Sequence, residues 1–182
     1  AHQVAAQLRD LEHDVVEVRE PGGTRTGEAV REIVLGTGCL PDPWSEALLF
    51  AAARSQLASE IIRPALLAGQ TVVSDRSVYS SLAYQGAARG LGVAEVRSVN
   101  AAGLQGVWPD TVILLRLAPD RGLAREDEAD RISIEGLELQ ESVAAAYETF
   151  ASEEADRFVV VDAGARIDEV VRQSMKVLDD RW

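Results

Sequence analysis

Lysine is almost missing from this sequence. Of 18 Lys and Arg residues, 17 are arginine, and the single lysine, Lys176, lies near the C-terminal end. Bases are scarce altogether: 30 acids face those 18 bases, for a net charge of -12. That balance excludes the basic surplus with which general nucleic-acid and anionic-membrane binders neutralise phosphates, so neither partner is expected. Any phosphate chemistry must rest on a few placed arginines. One cysteine, Cys39, allows no internal disulfide framework and suits a reducing cytoplasm, the expected compartment. It has no histidine close by in sequence and reads as a small loop or core residue. The two histidines, His2 and His13, join no ligand cluster and read as surface residues. No apolar run approaches the ~20 residues of a spanning helix, and no signal-peptide pattern is present.

What remains is enough for a core. With 182 residues, 47% of them hydrophobic and 26% charged, one domain spanning 1–182 is expected, without repeats or linkers. "AHQVAAQLRDLEHD" places Val4, Leu8 and Leu11 at helical spacing. Residues 14–20 form a short β-branched run closed by the turn "PGGT", and "GEAVREIVLG" reads as a helix. "PDPWSEALLFAAARSQLASEIIRPALLAG" is a long helical stretch with Asp42 as cap, Pro43 in the first turn and Gly69 at the far end. Pro64 kinks or divides it. Strands follow at "QTVVSDR", at residues 111–117 and at "RFVVVDA", with helices at 134–151 and in "RIDEVVRQSMKVLDD". Helices alternating with continuous apolar strands predict an α/β fold, a parallel sheet covered on both faces. Trp44 and Trp108 read as packing anchors, and Trp182 as a frayed end or an oligomer contact.

In open parallel sheets, ligands sit beyond the carboxyl ends of the strands. Two strands end there in charge, at Arg19-Glu20 and at Asp75-Arg76. Arginine's planar fork suits phosphate oxygens, and a neighbouring aspartate can orient it or support a magnesium shell. A structural salt bridge between Asp75 and Arg76 explains the pair equally well. Phe50 and Arg54, four apart on one helix, can sandwich a flat base and reach its carbonyls. Alternatively, Phe50 packs in the core and Arg54 meets solvent.

The strings "REPGGTRTGEAVREIVL", "EALLFAAARSQ", "IIRPALLAGQTVVSDRSVYSSLAYQGAARGLG" and "WPDTVILLRL" occur here in one order. Together they resemble bacterial thymidylate kinase over nearly the whole chain. The resemblance implies the P-loop nucleoside monophosphate kinase fold and phosphorylation of dTMP to dTDP with ATP and magnesium, by a homodimer. It implies that Arg19 and Arg31 approach the acceptor phosphate, that Phe50 stacks on thymine, and that Arg54 reaches its O4. Arg76 would hold the dTMP phosphate, with Asp75 near the metal. Ser80, Ser81, Tyr84 and Gln85 would contact base and sugar, Tyr84 crowding the place of a ribose 2′-hydroxyl.

Two departures qualify this. The family's phosphate loop, GxxxxGK[ST], cradles ATP phosphates with backbone N–H groups and a lysine; no such pattern occurs here. The resemblance therefore implies an N-terminally incomplete domain, whose first, central strand and loop would precede Ala1. The lid, about 119–133, is short and acidic in "RGLAREDEADRIS", and Ser133 replaces the family's usual acid. Arg125 or Arg131 could stabilise transferred charge, or either could sit in a solvated loop with local ion pairs. A non-catalytic relative that binds a nucleotide or partner chain is the alternative reading, and a kinase for another pyrimidine monophosphate a third.

Overall fold

The computed structural model describes residues 1–38, 40–125 and 131–179. Its elements alternate as the sequence predicts. Helix α1 (His2–Asp10) leads to strand β1 (Val15–Arg19), and α2 (Arg25–Leu35) to α3 (Pro43–Leu57). A π-helical turn (Ala58–Ile62) joins α3 to α4 (Arg63–Leu67), followed by β2 (Thr71–Asp75). Then come α5 (Val78–Ser81), a second π-helical stretch (Leu82–Ala88), α6 (Val93–Leu104) and β3 (Val112–Arg116). The chain continues through α7 (Pro119–Leu123), a 3₁₀ turn (Ser133–Glu135), α8 (Leu137–Glu153), β4 (Phe158–Asp162) and α9 (Ile167–Asp179).

Local chemistry accounts for the boundaries. Asp42 Oδ1 accepts the Trp44 and Ser45 amides at 3.0 and 3.2 Å, and Pro43 occupies the first turn of α3. Thr24 caps α2 by accepting the Gly27 amide at 2.9 Å. Pro64 neither ends nor divides the long helix. The turn before it widens into the π form, which accommodates a residue that lacks an N–H. Helix α8 starts later than the hydrophobic spacing predicts, because Gly136, at φ 89°, separates it from the 3₁₀ turn. Three segments escaped the sequence reading as helices, the short α7 among them. In α6 the buried stripe is Val96, Asn100 and Leu104, and the polar residue at its centre conceals the helical period. Between residues 78 and 88 the ligand-like residues masked a helix that buries Val78, Tyr79, Leu82 and Ala83.

The strands form two parallel pairs, β1 with β2 and β3 with β4, rather than one sheet. Val15 faces Thr71 and Arg19 faces Asp75 in the first; Val112 faces Phe158 and Arg116 faces Asp162 in the second. Val73 of β2 and Ile113 of β3 nevertheless pack against one cluster, built from Ala5 and Leu8 of α1 with Val171, Met175 and Leu178 of α9. The expectation of strands covered on both faces holds least for β2 and β3, which have no fully buried residue. The largest core lies under α5, α6 and α8, around Tyr79, Leu82, Val96, Phe150 and Phe158. Trp108 packs against it, whereas Trp44 is exposed. His2 and His13 are exposed as expected; Cys39 and Trp182 lie outside the described residues.

Leu57, fully buried at the end of α3, supports the "PGG" turn: a Cβ on Gly23 (φ 78°) would come within 2.9 Å of its Cδ1. Leu57→Ala is expected to destabilise the chain by roughly 2–5 kcal/mol in urea unfolding, the range for a leucine cavity that cannot collapse.

Candidate functional site

The first charged strand end and the long helix meet in a buried ion pair. Arg54 is 3% exposed, so it does not face solvent. Its Nε donates to Glu20 Oε2 at 2.5 Å, its Nη1 to Ser81 Oγ at 3.0 Å and Asn100 Oδ1 at 2.5 Å, and its Nη2 to the Ser77 carbonyl at 3.3 Å. Four of the five N–H donors of a guanidinium are thereby engaged, and one Nη2 hydrogen remains for a further acceptor. Asn100 cannot turn away, since its Nδ2 donates to the Val96 carbonyl at 2.8 Å. Burial pushes the Glu20 carboxyl up from its ordinary range, and the Arg54 charge and hydrogen bond oppose that rise. Phe50, one turn earlier, packs with Val30, Val34, Ala53 and Ile132, and Tyr84 borders the same cluster.

A second group forms where β2 ends. Arg76 follows the strand at φ 69°, a left-handed conformation unusual for a bulky residue and typical of functional turns. Its guanidinium lies 5.7 Å from the centre of the Tyr84 ring, and no ion pair joins it to Asp75. The structural salt bridge considered from sequence is thus not made, and both residues are exposed. Ser80 Oγ lies 2.9 Å from Tyr147 Oη, and Tyr84 Oη donates to Gln140 Oε1 at 3.3 Å. Burial raises the pKa of Tyr147, so its hydroxyl stays protonated. Tyr147 also lines a cleft of 260 Å³ beyond β3, with Leu114, Arg116, Pro119, Gly122 and Glu148.

The remaining arginines divide between reach and restraint. Arg19 Nη2 donates to both Glu28 oxygens, at 3.1 and 2.9 Å, and Arg31 Nη1 to the Pro21 carbonyl at 3.0 Å. The Gly23 amide, then Arg19, hold the Glu28 carboxyl below its usual range. Both arginines thus flank the "PGG" turn, where a Cβ on Gly27 would meet the Gly22 carbonyl at 2.6 Å. Arg125, exposed, donates to the Ala163 carbonyl at 3.0 Å. Arg131 is instead 8% exposed and paired with Glu46, so it is no solvated loop residue. Gln85 too is buried, its Nε2 on Glu46 Oε1 at 2.8 Å. The lid stretch 126–130 lies outside the described residues. Glu135 accepts from both Arg89 and Arg131.

Sequence reasoning noted Glu20 only as a charged strand end and missed Glu46, Arg89, Asn100 and Tyr147. Glu20, Glu46 and Arg89 lie inside the quoted strings and could have been found. Asn100 and Tyr147 gave no signal, because only folding brings α6 and α8 against the wall. Among the described residues, no group of three or more His, Cys, Asp or Glu could hold a metal by itself.

Two outcomes are expected. Asn100→Ala leaves a buried Arg54 donor without an acceptor, and chemical denaturation should show a loss of roughly 1–3 kcal/mol. For pH, the hydrogen bond from Arg89 holds Glu135 below its ordinary 4.5. A depressed carboxylate contributes stability in full above that value and loses it as pH falls through the lower folded pKa. The melting-temperature gap between wild type and Glu135→Gln should therefore be present at neutral pH and close in acid below about 4.5.

Similarity to known proteins identifies the family. The thymidylate kinase family model matches residues 1–174. A thymidylate kinase from Mesoplasma florum is 39% identical over 181 residues, covering 97% of this chain and 86% of its own. One from Deinococcus radiodurans is 40% identical over 182 residues (98% and 88%), and one from Desulforudis audaxviator 44% over 165 (89% and 74%). With a family match over almost its full length and relatives at this identity, the chain belongs to the thymidylate kinase family.

Proposed function

We propose that the chain serves transfer of the ATP γ-phosphoryl group to the 5′-phosphate of dTMP, giving dTDP and ADP. A dTMP phosphate oxygen forms the new P–O bond as the bond to the β,γ-bridging oxygen breaks. The observation that carries this reading is Arg54, buried and clamped by four partners with one donor left. A site that fixes a guanidinium this firmly can read a carbonyl such as thymine O4, and an unpaired donor there penalises a ligand lacking it. Phe50 supplies the stacking face. Arg76, Arg19 and Arg31 bind the acceptor phosphate, and Ser80, Ser81 and Tyr84 line base and sugar. Gln85 holds the wall in shape through Glu46, and Arg125 is the exposed lid arginine available to developing charge.

Magnesium fits as a nucleotide-borne ion, since it commonly takes one or two carboxylates with substrate phosphates and waters; Asp75 would hold it. When bound, it neutralises phosphate charge. The donor phosphates need a backbone cradle that no GxxxxGK[ST] string supplies within these residues. We propose that a central parallel strand carrying such a loop fits between β2 and β3, supported by the two separate pairs and by the shared α1/α9 cluster beneath them. The whole is read as one domain with a short lid in a cytoplasmic homodimer, to which Trp44 and Leu48, exposed one turn apart on α3, would contribute.

A non-catalytic nucleotide binder shares the acceptor site and differs in turnover. The test is the melting temperature with dTMP, dUMP and dCMP. At ~100 times its dissociation constant, dTMP should stabilise by roughly 2.7 kcal/mol, and dCMP, lacking O4, should give little. Equal shifts with all three would refute base reading by Arg54.

A further inference from the structure

The turn that carries Arg76 is clamped from two sides. Arg76 leaves β2 at φ 69° and leads through Ser77 into α5. On one side Arg54 donates to the Ser77 carbonyl at 3.3 Å and to Ser81 Oγ at 3.0 Å. On the other side stands α8. Tyr147 Oη lies 2.9 Å from Ser80 Oγ, and Glu154, two turns further along α8, accepts the Tyr79 hydroxyl. Phe150 shares that helix face, its ring centre 6.0 Å from that of Tyr79 and 6.2 Å from that of Tyr147. These apolar contacts seat α5 on α8 by themselves. They do not explain why a buried hydroxyl stands beside Ser80.

The surroundings of Arg76 supply a reason. Arg19 and Arg54 are paired with Glu28 and Glu20. Among the described residues Arg76 has no carboxylate at ion-pair distance, and its guanidinium lies 5.7 Å from the centre of the Tyr84 ring. Desolvation lowers its pKa, and Tyr84, Tyr147 and Asp75 raise it by more. Burial raises the pKa of Tyr147, while the hydrogen bond with Ser80 and then the Arg76 charge oppose that rise. Tyr147 is thus a neutral dipole near a charged guanidinium. A carboxylate partner would compete with a phosphate for the guanidinium N–H groups. A phenol oxygen orients its neighbours without cancelling the charge.

We propose that Tyr147 is a positioning residue for the acceptor phosphate. Its hydroxyl holds the Arg76 turn from the α8 side and keeps the guanidinium in place with its charge uncancelled. This rests on the dTMP reading above, in which Arg76 binds that phosphate. The effect is then confined to ligands that carry the phosphate.

Isothermal titration with dTMP and with thymidine, the same ligand without its phosphate, separates this role from a general one. Tyr147→Phe keeps the ring against Phe150 and removes only the hydroxyl. It should weaken dTMP binding by roughly three- to tenfold, the net worth of one hydrogen bond, and change thymidine binding by less than about twofold. Equal losses for the two ligands would overturn the proposal, because Tyr147 would then act on base and sugar or on the fold as a whole. So would an unchanged affinity for dTMP. In an Arg76→Ala background the same substitution should cost dTMP less than about twofold more, since residues acting through one another are not additive. A full further loss there would mean that the hydroxyl meets the phosphate itself, and the positioning role would be wrong. If Tyr147→Phe does not fold, Ser80→Ala removes the same hydrogen bond. Any base or sugar contact of Ser80 is lost for both ligands alike, so an excess loss for dTMP remains the expected result and its absence overturns the proposal. A wild type that binds neither ligand would refute the acceptor reading, and this inference with it.

Discussion

The Arg54–Glu20 pair is the constraint on which the rest of the site depends. A guanidinium and a carboxylate removed from water are favourable only when their remaining hydrogen-bonding capacity is met. Meeting it recruits Ser77 and Ser81 after β2 and Asn100 from α6, so five residues from four parts of the chain are fixed by one requirement. Glu20 also donates its amide to the Asp75 carbonyl at 3.0 Å, which ties the pair to the ends of β1 and β2. Position and orientation of the Arg54 guanidinium follow from that closure.

Glu46 repeats the device one turn before Phe50. Here the partners are Gln85, Arg89 and Arg131, and the joined parts are the acceptor helix and the lid exit. The near absence of lysine fits this use of charge. A guanidinium can direct separate N–H groups at several acceptors in one plane, whereas an ammonium is a compact, strongly hydrated point charge. Arg54, Arg89 and Arg131 each engage more than one acceptor, and two of them are almost fully buried.

The strands express the opposite condition, polar groups short of partners. Among the described residues neither strand pair hydrogen-bonds to the other, yet the two pairs rest on one floor of α1 and α9 side chains. Ser74 Oγ of β2 is likewise buried without a hydrogen-bond partner among the described residues.

The sequence by itself determined the four strands and the helices around them other than those between β2 and β3 and the short α7, because apolar periodicity and caps such as Asp42 are local properties. It also brought forward Phe50, Arg54, Arg76 and Tyr84 as candidate residues, since those strings are contiguous and chemically specific. Helix α6 stayed hidden because its buried stripe contains Asn100, whose polarity makes sense only once Arg54 lies beside it. Glu46 looked like any first-turn acid of a helix, and Arg131 like a lid cation, until folding placed them in contact across 85 positions of chain. Which arginine reaches a ligand and which is held inside was decided by tertiary structure alone, because burial and pairing depend on neighbours that are distant in sequence.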